Sequence, residues 1–351
     1  MIHLESRLTK QEFYNKVSVI SFFLSILIMS IHCYNVHIYG LSAAEDPLSR
    51  AAAHFEISAN KLEAVCVPMF YMISGYLFFR GFTPEQLLPK WKRRIFTLLI
   101  PYVLWCTISY LFYVLVSFIP PVAARVNPES TKLPTLSFAS WLSCLRSATY
   151  TPLWFLSSLM VLTLLAPVIW LLFRNHLKKV PTGFIFLLIS FLIKEGIIRL
   201  HVPYNVTNYF IGAYIGMNHP GLPFRRAKKL SVYAGIGILL VIISVFTGLP
   251  QDTEIRNLLL IGLIWIFTDH FDLDREIPWF FRISFFLYCA HLIPLTILDK
   301  LFLIAFGKGP VQALVSYVMN PPVITVFLTG VAFLLRKYLP GAWKLLTGSR
   351  G

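Results

Sequence analysis

The chain has 351 residues, 57% hydrophobic and only 13% charged, with a mean hydropathy of +0.69. Soluble domains carry about 25% charged residues, so a water-soluble fold is excluded and lipid must be the solvent for most of the chain. The net charge of +15 would suit nucleic acid, but its distribution along the chain excludes that partner.

A helix needs about 20 mainly apolar residues at 1.5 Å each to cross a bilayer. This predicts an all-α, polytopic transmembrane bundle of about ten helices. They fall at 17–38, 62–79, 95–118, 152–173, 180–198, 204–217, 230–248, 255–268, 280–303 and 311–335. The sixth and eighth are the shortest. Glu5 and Glu12 make residues 1–16 a poor signal-peptide start, and the apolar run that follows reads as a retained first helix. Residues 1–351 form a single integral-membrane domain, with 1–16 as a cytosolic segment and 119–151 as the largest loop. Within that loop Leu136, Ala139, Leu142 and Leu145 recur near helical spacing, which predicts an interfacial helix over 136–148.

Lysine and arginine alternate between the loops. One side holds Arg7, Lys10 and Lys16, the run from Arg80 through Arg94, Arg225 to Lys229 and the basic residues after 335. With Arg174, Lys178, Lys179, Arg275 and Arg282 it carries about two thirds of the 31 cations. The positive-inside rule puts that side and both termini in the cytoplasm, loop 119–151 outside, and the chain in a cell (inner or plasma) membrane.

An ionisable group inside such a span costs several kcal/mol without a partner. His32 stands fifteen residues into the first span, about 22 Å up a 30 Å core. His291 stands near the middle of the ninth. Glu63 opens the second, and Lys194 and Glu195 close the fifth. An imidazole accepts a proton near neutral pH and suits general-base work, although a helix–helix hydrogen bond is the alternative for either histidine. Cys33 points about 100° away from His32 and makes no dyad with it. The five cysteines have no metal-ligand spacing, and no metal site is expected. Asp269, Asp272 and Asp274 lack the glycine turn and closing glutamate of a calcium loop and read as a solvated turn. Gly235 and Gly237 lie inside a span and read as packing residues.

Several segments then carry a resemblance. Ile28-Met-Ser-Ile-His32 closes the first helix, and Val67-Pro-Met-Phe-Tyr-Met-Ile-Ser-Gly-Tyr-Leu77 fills the second. Lys92-Arg-Arg-Ile95 leads into Ile100-Pro-Tyr102. Pro152-Leu-Trp-Phe-Leu156 runs to Ala166-Pro167, followed by Tyr209 to Gly216 and Phe285-Phe-Leu-Tyr-Cys-Ala-His291. Their order and spacing resemble the acyltransferase-3 family over essentially the whole chain. The resemblance implies a membrane O-acyltransferase, usually an O-acetyltransferase acting in polysaccharide or other surface modification. The donor substrate would be cytosolic acyl-CoA, typically acetyl-CoA, with no permanently bound cofactor. The acceptor would be a hydroxyl of a glycan or similar molecule.

The same resemblance makes His32 the essential catalytic residue. His291, Ser74, Tyr76, Tyr102 and Trp154 are catalytic or structural candidates by type. CoA phosphates call for cations near water, and Arg80, Lys92, Arg93 and Arg94, with Lys90, form the densest cytosolic cluster. Arg80, directly after Ser74–Phe79, is the favoured member. Many relatives place an arginine eleven residues before the histidine, whereas this chain has Ser21 there and Lys16 as the nearest upstream cation. The extra esterase-like domain of longer relatives is not expected. A glycan or lipid transporter or flippase, or a non-catalytic subunit of a polysaccharide assembly complex, remain the alternatives, and a homo-oligomer stays open.

Overall fold

The computed structural model describes residues 4–41, 46–120, 133–148, 152–174, 206–219, 221, 223–226, 228–250 and 253–350. It is helical apart from a two-stranded antiparallel ribbon, β1 (Leu4–Arg7) with β2 (Phe224–Arg226). The first helix, α1 (Lys10–His32), starts seven residues before the apolar run. A capping box explains this: Glu12 N–H donates to Thr9 Oγ1 at 3.1 Å, and Thr9 N–H to Glu12 Oε2 at 2.6 Å. The helix ends at His32 rather than at the expected 38, with the Cys33 N–H donating to the Met29 and Ser30 carbonyls. His32 is thus its last residue, about 33 Å from Lys10 along the axis.

The second predicted span is preceded by an amphipathic helix. α2 (Pro47–Glu63), capped by Asp46, continues into α3 (Cys66–Phe79) as one 33-residue stretch. α4 (Leu87–Arg94), a π-helical turn (Ile95–Leu99) and α5 (Ile100–Ser117) also run together. α6 (Phe138–Ser147) forms within the predicted loop helix and packs on α5, with Trp141 Nε1 donating to Thr107 Oγ1 at 3.0 Å.

Two predicted spans are bent. α7 (Trp154–Leu164) and α8 (Ala166–Phe173) meet at 64° beside Pro167. After α9 (Val206–Asn218), α10 (Lys228–Phe246) and α11 (Thr253–Phe267), a short turn (Trp279–Ile283) leads into α12 (Ser284–Ala290). α12 meets α13 (Leu292–Phe306) at 74°, with His291 at the bend. Pro294 accounts for the break, since it has no N–H for the carbonyl four residues earlier. α14 (Pro310–Tyr338) and α15 (Pro340–Thr347) complete the bundle.

The described residues do not confirm the count of ten spans. Among the described residues five helical stretches are long and apolar enough to cross a membrane, or seven if each bent pair counts as one. α9 and α11 have 13 and 15 residues, about 20 and 23 Å against a core of about 30 Å. The predicted span 180–198, with Lys194 and Glu195, lies outside the described residues.

Glycines bring α3 and α9 together. A Cβ at Gly212 would sit 2.0 Å from the Met72 carbonyl oxygen, and one at Gly75 would sit 2.2 Å from that of Tyr209. Both contacts are with backbone, so neither side can yield, and the packing is of the small-residue kind used between membrane helices. Gly212→Val is expected to destabilise the bundle by about 3 kcal/mol or more. Loss of the monodisperse peak in size-exclusion chromatography checks this, and a wild-type melting curve would refute it.

Candidate active site

Four helices, α1, α3, α7 and α12, run alongside two interior cavities placed one beyond the other. The first, about 270 Å³, lies beside the earlier half of α1 and is lined there by Val17 and Ser21. α3 contributes Ile73, Ser74 and Leu77, α7 contributes Leu156, Leu159 and Thr163, and α12 contributes Ser284, Phe285 and Tyr288. Arg94, Leu98, Tyr209 and Arg350 complete its wall. Two guanidinium groups line this cavity and, among the described residues, no carboxylate does. The second cavity, about 150 Å³, lies at the far end of α1 and is lined by Ile28, Ile31, His32, Val67, Phe70, Pro152, Trp154, Phe155 and Tyr288.

Phe70, Phe155 and Tyr288 line both cavities. Phe155 stands 6.1 Å from Phe70 and 6.0 Å from Tyr288, measured between ring centres. One aromatic layer therefore separates a basic chamber from an imidazole chamber. Helical periodicity produces this order. Val17, Ser21, Ile28 and His32 share one face of α1, while Ser284, Tyr288 and His291 share one face along α12 and its end.

The imidazole chamber holds a pair of rings. The centres of His32 and His291 are 5.3 Å apart and the rings are tilted by 39°. His32 is exposed to the chamber, whereas His291 is completely buried at the α12–α13 bend. His291 Nδ1 lies 3.1 Å from the Leu287 carbonyl oxygen and 2.8 Å from that of Tyr288. Carbonyls only accept, so Nδ1 carries the proton in the neutral ring and Nε2 carries the lone pair. That Nε2 is buried without a hydrogen-bond partner among the described residues.

The predicted residues divide between these chambers and other places. Ser74 and Arg94 line the basic chamber, and Trp154 lines the imidazole chamber. Tyr76 instead faces a separate apolar cavity of about 330 Å³ and donates to the Gly221 carbonyl at 3.2 Å. Tyr102 donates to the Leu145 carbonyl, on α6. The Arg80 guanidinium lies over the Phe13 ring at 5.6 Å, outside the basic chamber's wall. Lys92 and Arg93 are exposed on α4, and Lys90 donates to the Phe78 carbonyl. Tyr288, Ser284 and Arg350 were not singled out from sequence. The seven-residue recurrence ending at His291 was the available signal for the first two.

Asp269 corrects the reading of a solvated acidic turn. It is 3% exposed and pairs with the equally buried Lys16, Nζ to Oδ1 at 2.5 Å. Lys16 also sits 4.4 Å from the Trp265 ring centre. Because α1 begins at Lys10, Lys16 is inside the helix packing, and its charge is directed at Asp269 rather than at the basic chamber.

Carboxylates collect near the far end of α1. Glu56 accepts from the Asn35 N–H at 2.7 Å, Glu63 from the Tyr317 hydroxyl at 2.8 Å, and Asp299 from the Asn320 amide. Only Glu63 stood out in the sequence. Tyr317→Phe removes the hydroxyl that Glu63 accepts from, and is expected to cost about 1–3 kcal/mol. Thermal unfolding in detergent measures this, and an unchanged melting temperature would show the bond to be dispensable.

Fold and cavities together define a polytopic helical membrane protein with an internal site reaching toward both ends of one helix. A family model for an acyltransferase domain matches residues 17–336, and the chain belongs to the acyltransferase-3 family. It matches no curated protein and no solved structure.

Proposed function

We propose that the protein is a membrane O-acyltransferase that moves an acyl group, in the simplest case acetyl, from cytosolic acyl-CoA to a hydroxyl of a glycan or similar acceptor. The observation that supports this most is the alignment of the basic chamber with the imidazole chamber across one aromatic layer. The donor's phosphates would lie with Arg94, and the exposed Arg93 and Lys92 would draw them in from the cytosolic side. Arg80 then serves the approach rather than the chamber. The thioester would pass the layer of Phe70, Phe155 and Tyr288 to reach His32. On this reading both termini face the cytoplasm, and the protein works in the plasma membrane.

The reaction balances on one imidazole. His32 takes the acceptor's hydroxyl proton as its oxygen bonds to the thioester carbonyl carbon. The tetrahedral intermediate collapses, the carbon–sulfur bond breaks, and CoA leaves as a thiolate that takes the proton back from His32. Donors near the developing oxyanion lower its energy; Trp154 supplies an indole N–H in the chamber wall, whereas the Tyr288 hydroxyl donates to the Pro152 carbonyl. His291 is a positioning residue, its Nε2 fixed as an acceptor by the two carbonyls on Nδ1. Acyl-CoA, the acceptor and the bilayer are the partners on this reading.

The test uses the purified full chain in detergent with radiolabelled acetyl-CoA and a panel of glycan and polyol acceptors. Label in an alkali-labile ester on an acceptor supports the reading. Binding of acetyl-CoA with no transfer to any acceptor, or no binding at all, would count against it.

A further inference from the structure

The basic chamber contains a cation that its own helices do not supply. α15 packs on α5 and α12, with Trp105 Nε1 donating to the Leu346 carbonyl at 3.0 Å and Trp343 5.1 Å from the Phe286 ring. The chain then turns sharply. Gly348 and Ser349 both take left-handed backbone conformations, with φ of 62° and 61°. A Cβ at Gly348 would lie 2.7 Å from Thr97 Cα and 3.0 Å from the Phe96 carbonyl oxygen, so the turn is pressed against the π-helical segment that follows Arg94. Ser349 N–H closes it by donating to the Lys344 carbonyl at 2.9 Å. A residue held this closely is not a frayed end. The turn delivers Arg350 into the wall of the basic chamber, its guanidinium 4.2 Å from the Phe285 ring centre.

Arg94 enters the same wall from α4, its guanidinium 5.3 Å from the Phe78 ring centre. The nearby Lys16 is already paired with Asp269. Among the described residues neither arginine has a carboxylate partner, so two cations share one chamber without an opposing charge. Burial, reinforced by Arg94, pulls the Arg350 guanidinium below its ordinary value, to about 10. Like charges brought together out of water raise the energy of the empty chamber, and a bound anion lowers it.

We propose that Arg350 is a donor-binding residue, and that its guanidinium and that of Arg94 together hold a phosphate of the acyl-CoA donor in the basic chamber. This rests on the acyltransferase reading above. Ser21 lines the same chamber from α1, so a cation placed there should substitute for Arg350.

Equilibrium binding of radiolabelled acetyl-CoA to the full chain in detergent tests the assignment, using wild type, R350A, R350Q, R350K and the double variant R350A/S21R. R350A and R350Q should bind about 10–100-fold more weakly, R350K should recover part of the loss, and S21R should restore affinity in the R350A background. With a phosphate-free acetyl thioester as donor, the ratio of wild-type to R350A turnover should fall toward one. Size-exclusion profiles confirm folding; if R350A is not monodisperse, comparing R350Q with R350K carries the test. Unweakened acetyl-CoA binding by folded R350A or R350Q overturns the assignment and leaves the acyltransferase reading intact. An equal defect with the phosphate-free thioester also overturns it, by making Arg350 structural. Failure of the wild type to bind acetyl-CoA would instead strike the reading itself.

Discussion

His32→Ala should lower kcat by about 10²–10⁴-fold while acetyl-CoA binding stays within a few-fold of wild type. The geometry separates the two effects. His32 lines the imidazole chamber, and the arginines line the other chamber, beyond Phe70, Phe155 and Tyr288. Removing the imidazole therefore removes a proton acceptor without touching the basic wall. His32→Gln keeps a hydrogen-bonding side chain but cannot take a proton at neutral pH, so it should be as inactive as alanine. Single-turnover acylation together with donor binding makes the distinction. If glutamine restores activity, His32 is a hydrogen-bonder and the base must be sought at His291, whose Nε2 has no hydrogen-bond partner among the described residues.

Arg94→Ala should raise the KM for acetyl-CoA by about 10–100-fold with much less effect on kcat, the expectation for one charge-assisted contact worth about 1.5–3 kcal/mol. Lys92→Ala and Arg93→Ala should each change it by a few-fold at most. All three belong to one basic run in the sequence, yet Arg94 lines the chamber and the other two are exposed on α4. Exposed cations act through screened, long-range attraction, so their contribution should fade as salt is raised while that of Arg94 persists more strongly. Steady-state kinetics at low and high ionic strength read both effects. Equal KM changes for the three residues would mean that the chamber does not hold the phosphates.

The sequence by itself determined the solvent, the helical class and the family. Those properties are additive over residues: apolar fraction and motif order need no knowledge of who touches whom. Apolar runs also placed His32 and His291 in separate helices, and residue type under the family resemblance picked out Ser74, Arg94 and Trp154, which line the two chambers. Other features depend on contacts between distant segments, and only the tertiary structure decided them. The capping box at Thr9 moved the start of α1 to Lys10, which put Lys16 inside the helix, where it is buried against Asp269, 253 residues away, and the helix stops at His32. Pro294 turned an expected straight span into a bend with His291 at its corner. Tyr76 and Arg80 fit the site by residue type, but α3 presents them to Gly221 and Phe13 instead. Arg350 had no local signal at all. Its position follows from two left-handed residues, one of them Gly348, which is pressed on the backbone at Thr97. Hydropathy counts residues one at a time, whereas charge pairing and cavity walls are set by which helices lie side by side.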